Sequence, residues 1–598
     1  MNETTQQSQI TYRPPTVDDG EAIWRLVRAS GALAENSPYS YLMFCRSFAE
    51  TCMVADAGDR LAGMVIAYIP PPTPDVLFVW QVGVDPAFRG QGLAFAMLDR
   101  LLDRPACQWV RRVEATVTPS NAASFALFDK LAEHLDAPVT RTVAFPEAAF
   151  PEGEAQEAEM LVRIGPIGAR RPEAPTDPAL FERLESNVRA YARDFPTVFA
   201  RAAGAFVWDE PGRRYIDFFA GAGVLNYGHN PPQIRQAVLD HMAGDGVMHS
   251  LDMMTRAKGR FLRAFDEVIL KPRDLPYIVQ FPGPTGTNTV EAALKLARKA
   301  TGRHTVAAFT RGYHGMTLGA LAATGNRAKR AGAGVPLEGV VRLPFDGYLG
   351  SDTDSLALFE QMLADPGSGM DPPAAAILET VQGEGGIHVA DFGWLQRLAA
   401  LCRAHGVLLI VDDIQMGCGR TGPFFSFEPA GIVPDIVCLS KAIGGLGQPM
   451  ALTLFRRELD LWKPGEHNAT FRGNNAAFVA ATAALEQFWQ DEALSREVAH
   501  KGAIVAERLA AIAEQHPDLK PATRGRGLVH GLACGLEGAG QAIVHAAFER
   551  GLIVETAGAA SDVVKVMPPL TIAESELREG LDLLAHAVAA VSATPASG

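Results

Sequence analysis

Lys441 and Asp412 are the two residues whose types and spacing point most directly to chemistry. Asp412 follows a continuous apolar run, Val407 to Val411, and Lys441 follows a second, Ile436 to Leu439. Such runs, rich in β-branched residues, read as strands buried on both faces of a parallel sheet. Ligands of these sheets bind at the carboxyl ends of the strands, so an acid and an amine can meet there over one ligand. Pyridoxal 5′-phosphate needs that pair: a lysine for its aldehyde and a carboxylate that keeps its ring nitrogen protonated. A buried Asp–Lys ion pair with no cofactor has the same spacing, so the wider pattern has to decide.

A second place for chemistry lies near the N-terminus. A strand, Leu77 to Val84, is followed by the turn Arg89-Gly-Gln-Gly-Leu-Ala94 and an amphipathic helix. Backbone N–H groups at such a helix start can cradle a pyrophosphate, and glycines at 90 and 92 let the backbone approach it. A tight strand-to-helix connection is the plain alternative. Glu114, on the next strand, is the best-placed carboxylate for binding an amine or relaying its proton. A solvated strand carboxylate is the plain alternative there.

The elements around these residues form two modules. Residues 10–166 begin with a short strand to Arg13, a helix from near Gly20, and a hairpin over Cys52–Ala55 and Gly63–Ile69. Residues 167–178 carry three prolines without apolar periodicity and read as an exposed spacer. Residues 179–595 open with an amphipathic stretch, Leu180 to Ala190, that predicts a leading helix. A hairpin, Ala205 to Phe218, turns on Asp-Glu-Pro-Gly. The sequence PGPTGTNTVEAALKLARKATG is a turn feeding a helix, where Gly286 and Thr287 offer phosphate donors or simply helix caps.

Composition excludes several classes. The 598 residues are 48% apolar and 20% charged, with formal charge −14 and no long like-charge block, which argues against nucleic acid. The seven cysteines are scattered without CxxC pairs, so neither a metal site nor a disulfide frame is signalled. No run has the ~20 apolar residues of a membrane span, and the polar N-terminus lacks an apolar signal core, so a cytoplasmic enzyme is the expectation.

The motifs then resemble known families. VDDIQMGCGRTG followed by SKAIGG is similar to the class III aminotransferases, fold-type I enzymes with a large α/β and a small α+β domain. The resemblance implies Asp412 on the ring nitrogen, Gln415 on the ring oxygen, Lys441 as the coenzyme's lysine and Tyr313 stacked on the ring. It also implies Thr470 reaching the phosphate of a neighbouring subunit, hence a homodimer or larger homo-oligomer. Glu384 falls near the substrate carboxylate, Glu379 and His314 read as structural, and Lys565 and Arg526 are candidates for carboxylate binding. More closely, AGAGVLNYGHN, ETVQGEGG, ATFRGNN and VVKVMPPLTI resemble the diaminobutyrate–2-oxoglutarate aminotransferases. That implies L-glutamate as donor and L-aspartate 4-semialdehyde as acceptor.

NSPYSYL, FVWQV, RGQGLA, TVTPSN and LVRIGP resemble the 2,4-diaminobutyrate N4-acetyltransferases, within the GNAT acetyltransferase fold. The resemblance implies Arg89, Gly90, Gly92, Ala94 and Asn121 at acetyl-CoA, and Asn36, Trp80 and Glu114 at L-2,4-diaminobutyrate. Two departures stand out. Phe128 replaces the general-acid Tyr of many GNAT enzymes, and Ala34 stands where the diaminobutyrate family usually has Asp. The whole reads as a bifunctional enzyme of ectoine synthesis. The alternatives are a GNAT module acting on another diamine, or one serving as a non-catalytic acyl-CoA sensor.

Overall fold

The computed structural model describes residues 10–31, 33–58, 60–107, 109–150, 157–168, 176–350 and 352–593. Most of the expected spacer, residues 169–175, lies outside the described residues, as do 594 and 595 at the end of the second module. The chain divides into two compact units, Met1–Thr176 and Asp177–Gly598.

The N-terminal unit is one seven-stranded sheet. Its order is Thr11–Arg13, Met53–Asp56, Leu61–Tyr68, Val76–Val84, Arg112–Val117, Glu159–Ile164 and Val139–Phe145. Only the pair Val76–Val84 with Arg112–Val117 is parallel, and it holds for three residues, to Phe78 opposite Glu114. Beyond Phe78 the first strand continues to Val84 without that neighbour, so the two strands part and leave an open edge from Val79 onward. Apolar strand residues, among them Leu77, Val79 and Val113, form the core with Met97, Leu101 and Leu131 of the helices.

The C-terminal unit has a seven-stranded central sheet and two four-stranded sheets. The central order is Tyr277–Gln280, Leu452–Arg456, Ile436–Leu439, Leu408–Asp412, Ala375–Leu378, Val306–Phe309 and Val340–Leu343. The run from Ile436–Leu439 to Val340–Leu343 is parallel, as the buried apolar runs predict, and Leu452–Arg456 is antiparallel to both its neighbours. A smaller antiparallel sheet, Pro521–Arg526, Val529–Cys534, Val563–Val566 and Glu555–Ala557, packs with helices Ala493–Gln515 and Ala539–Glu549. This is the large α/β plus small α+β arrangement.

Arg420 joins distant parts of this unit. It is fully buried, and its guanidinium donates to the carbonyls of Leu528 (2.9 Å) and Pro568 (2.6 Å) and to Asn226 Oδ1 (2.6 Å). Burial with no carboxylate partner pushes its pKa down to about 9.

The leading helix does not form as predicted. Within Leu180 to Ala190 only the part up to Leu184 is helical, in Ala179–Leu184, and the next helical turn, Tyr191–Asp194, begins beyond it. Ser186 Oγ accepts from the backbone of Val188 (3.4 Å), and Asn187 is held by Arg193, so side chains compete for the backbone. Leu184 and Val188 are 71% and 87% exposed, so no packing in the chain compensates.

Among the described residues, no helix is long and apolar enough to cross a membrane.

Candidate active site

Asp412 ends its strand in register with Cys438 of the next, and Lys441 follows three residues after Cys438. The parallel sheet therefore brings the acid and the amine to the same end. Lys441 has a left-handed backbone (φ +53°), a strained choice for a residue with a side chain. Its amine has no hydrogen-bond or ion-pair partner among the described residues. Burial pushes its pKa down, against the opposing pull of Glu384.

Asp412 is held by His314, which the sequence reads as a possible site-lining residue but more readily as structural. His314 Nδ1 lies 2.7 Å from Asp412 Oδ2, and the Ile414 N–H donates to Oδ1 at 3.2 Å. His314 and Asp412 are both buried, and His314 Nε2 has no partner. Asp413, the adjacent acid, turns away and accepts from the Ser426 N–H (3.0 Å), with burial pushing its pKa up to about 7. Only Asp412 thus shares a setting with Lys441.

The remaining predicted residues collect around this pair. Gln415 donates to the Ala222 carbonyl (2.9 Å) and to Glu384 Oε1 (3.2 Å), and its own Oε1 is buried without a partner. A Cβ on Gly383 would stand 1.8 Å from that oxygen, so a side chain there would push the Gln415 amide aside. Tyr313 is half-buried, and its N–H donates to Glu379 (2.8 Å). Burial, reinforced by Asp412, raises the Glu379 pKa well above the usual carboxylate range.

Helix Gly286–Thr301 presents its first turn with no side-chain cap on its amides. Thr287 Oγ1 lies 2.6 Å from Thr317 Oγ1. Thr470 sits on an exposed turn, where its carbonyl accepts from His249 (2.8 Å). An unpartnered amine, a fixed acid, orphaned polar atoms on Gln415 and His314, and an uncapped helix start suit a flat, polar, phosphorylated ring. Pyridoxal 5′-phosphate fits this donor set.

Lys565 is not a free carboxylate binder. It is fully buried between Glu384 Oε1 (2.6 Å) and Glu555 Oε1 (2.7 Å). Burial works against its charge, but the two glutamates outweigh it and raise its pKa. Glu384 is held down to about 2, because Lys565 and Lys441 overcome its burial. For Glu555 burial wins, and its pKa stays raised. Arg526, the other carboxylate-binding candidate, donates from Nη2 to Thr380 Oγ1 and the Ser426 carbonyl, both at 2.9 Å, while its Nε and Nη1 are buried without a partner.

In the N-terminal unit, Gly90 (φ +79°) and Gly92 (φ +75°) both need glycine's left-handed freedom, and open space surrounds them. Helix Leu93–Leu102, with Ala94 in its first turn, starts at Gly92 with no side-chain cap, so its amides are available to an anion. Arg89 donates to the Ser30 carbonyl (3.0 Å). Asn121 serves as a helix cap, accepting from the Ser124 N–H (3.1 Å). Trp80, at the parted strand, stacks on Phe44 with centroids 4.8 Å apart.

Gln81 links the Tyr41 hydroxyl (3.0 Å) to the Ala34 carbonyl (2.9 Å), and Asn36 donates to that same carbonyl (3.2 Å). Glu114 lies 2.6 Å from Arg163 Nε and sits on the paired side of the split, opposite Phe78. Phe128 is buried in helix Ala122–His134.

A parallel sheet with a partnerless lysine and a histidine-held acid at its strand ends is the layout of a fold-type I pyridoxal enzyme. The class III aminotransferase family model matches residues 188–588, and the GNAT acetyltransferase family model matches residues 21–132. The chain belongs to the class III aminotransferase family and carries a GNAT acetyltransferase domain ahead of it. It is similar to the diaminobutyrate–2-oxoglutarate transaminase of Nocardia farcinica, with 59% identity over 411 residues, 68% of this chain and 93% of that protein. The enzyme of the same name from Halalkalibacterium halodurans is 54% identical over 419 residues, 70% of this chain and 98% of that one. Among solved structures, the ornithine aminotransferase of Toxoplasma gondii is similar at 27% identity and TM-score 0.60, covering 69% of this chain and 94% of that one. Class III aminotransferases use pyridoxal 5′-phosphate, and GNAT enzymes use acyl-CoA.

Proposed function

We propose that the C-terminal unit transfers the amino group of L-glutamate to L-aspartate 4-semialdehyde, giving 2-oxoglutarate and L-2,4-diaminobutyrate. The N-terminal unit then acetylates the 4-amino group from acetyl-CoA, giving N4-acetyl-L-2,4-diaminobutyrate, as in ectoine synthesis. The observation that carries the first step is Lys441, a half-buried lysine whose amine has no partner, beside an acid fixed by His314. The printed names of the two bacterial relatives support the substrate pair.

Lys441 would hold the coenzyme, with Asp412 at its ring nitrogen, Gln415 at its ring oxygen, Tyr313 over its face, and Gly286 and Thr287 at its phosphate. Bound there, it supplies an electron-withdrawing ring. Burial favours the neutral Lys441 amine, so Nζ can take the proton from the substrate's amine-bearing carbon and return it. His314 fixes the Asp412 carboxylate toward the ring nitrogen, and Tyr313 keeps water out. Thr470 is exposed on its turn, as is neighbouring Phe471, and would reach the phosphate site of a second copy, so the active form is at least a homodimer.

In the N-terminal unit, Arg89, Gly90, Gly92 and Ala94 would take the pyrophosphate of acetyl-CoA. The thioester then lies along the open strand edge beside Trp80. The free 4-amine attacks the thioester carbonyl, the carbon–sulfur bond breaks, and the CoA thiol takes up the proton. Ala34 and the Glu114–Arg163 pair favour a second reading for this unit alone: another diamine as acceptor, or an acyl-CoA sensor.

The test is the full chain incubated with glutamate, aspartate semialdehyde and acetyl-CoA, with products read by mass. Acetylated diaminobutyrate is the expected product. Diaminobutyrate alone would select the second reading, and neither product would refute both steps.

A further inference from the structure

The C-terminal unit contains a cavity of about 690 Å³ whose wall includes Tyr313 and Glu384 together with Arg311, His388 and Arg524. Four arginines and two lysines line it against two carboxylates, Glu384 and Asp562, in a chain of formal charge −14. One of these cations is already spent: Arg342 donates to the carbonyls of Phe309, Ala322 and Thr324. Arg311 and Arg524 are less committed, although the Arg311 guanidinium lies over the Tyr348 ring, 4.8 Å from its centroid. Neither forms an ion pair with a carboxylate among the described residues, and Arg524 Nε is buried without a hydrogen-bond partner.

The side chains of Arg311, His388 and Arg524 converge. Arg311 Nη1 lies 3.3 Å from His388 Nδ1. His388 Nε2 and an Arg524 Nη lie 3.5 and 3.6 Å from where a Cβ on Gly386 would stand. Burial, with Arg524 and Arg311 adding to it, holds the His388 pKa down to about 3, so the imidazole is neutral and accepts from Arg311.

Arg311 is also aimed at a cost. Its backbone is left-handed (φ +65°) and passes between two glycines. A Cβ on Gly385 would stand 2.4 Å from the Arg311 carbonyl oxygen, and one on Gly325 would stand 2.8 Å from the Arg311 nitrogen. Strain of this kind concentrates where a ligand is clamped. Glu384 connects the cavity to the reaction centre, because it lines the cavity, accepts from Gln415 and acts electrostatically on Lys441.

Substrate chemistry supplies the occupant. In the proposed reaction the reacting carbon is C2 of glutamate and C4 of diaminobutyrate. Each molecule then carries a carboxylate three carbon–carbon bonds away: C5 of glutamate and C1 of diaminobutyrate. One distal anion site can serve both halves of the exchange. We propose that Arg311 and Arg524, with His388 as the neutral spacer, form the subsite for this distal carboxylate. The inference rests on the aminotransferase reading above.

Glutarate has the glutamate carbon chain and no amine, so it probes the site without reacting. Its binding to the coenzyme-loaded full chain would be measured by calorimetry. Arg524→Gln and Arg311→Asn (asparagine tolerates the left-handed backbone) should each weaken it roughly 10- to 100-fold, the worth of a hydrogen bond to a charged group. Arg524→Lys should retain part of the affinity, and it stands in if the Gln variant fails to fold.

In turnover, Arg524→Gln or its Lys stand-in should lower kcat/KM for diaminobutyrate and spare 1,3-diaminopropane, which lacks the carboxylate. Glutarate that binds nowhere, or binds wild type and variants equally, overturns the subsite. A wild type that binds glutarate but transaminates neither glutamate nor diaminobutyrate overturns the functional reading instead.

Discussion

Lys565 is buried and Lys441 half-buried in the same unit, and their surroundings push them in opposite directions. Lys565 sits between two glutamates and keeps its charge, while Lys441 has no partner and is pushed toward the neutral amine. Burial penalises both ammonium groups, so the difference comes from the carboxylates within reach. One lysine is fixed as a cation, and the other is left free to act as a nucleophile and base.

The strongest way to break this contrast is at Lys441. Lys441→Ala should abolish transamination and the visible coenzyme band that borohydride bleaches, with acetylation of supplied diaminobutyrate kept. Equal loss of both activities would mean that the two sites are not separate. Next is Asp412→Asn, which removes the acid that Lys441 depends on. Transamination should slow by roughly two orders of magnitude or more, on the scale of a lost acid–base group, while the coenzyme still binds. Normal turnover would point to the wrong carboxylate.

Lys565→Met should act mainly on stability. It strands the buried Glu555 and the half-buried Glu384, and breaking a buried ion pair costs about 3–5 kcal/mol, which denaturant titration would read. Lys565 also depresses Lys441, so the Lys441 titration should move upward in any folded Lys565→Met protein. No shift would uncouple the two lysines.

The smallest effect separates the two glutamates. The Glu384 pKa is lowered from 4.5 to about 2, so its contribution is complete above pH 4.5 and is lost as the pH falls through about 2. The Glu555 pKa is raised, so its ionisation costs stability above its ordinary 4.5, and acid relieves that cost. At neutral pH, Glu384→Gln should therefore lose about 1–3 kcal/mol and Glu555→Gln less. Equal losses in thermal melts would show that the carboxylates share Lys565 evenly.

These partners show what the sequence could and could not reveal. The strands Leu408–Asp412 and Ile436–Leu439 were legible because burial on both faces writes an unbroken apolar run. The glycines at 90 and 92 were legible because the turn needs their left-handed backbone. Glu384 and Lys565 lie 181 residues apart, and only folding brings them together, so no local pattern marks the pair. The same holds for His314 with Asp412, 98 residues away. Arg311 gave no signal because its strain depends on the glycines at 325 and 385, each unremarkable in its own segment. Glu114 looked available because Arg163, its partner, lies on a strand that is distant in sequence.

Arg420 bears on how the chain reaches this state. Its partners at 226, 528 and 568 are joined to it by loops of more than a hundred residues. Closing such loops comes before any reward from the contacts they allow. The two Nη groups of Arg420 therefore find their acceptors only after these partner segments have come together. Its three bonds oppose escape from the folded state rather than hasten arrival, so they set the lifetime of the assembled unit more than the speed of its folding.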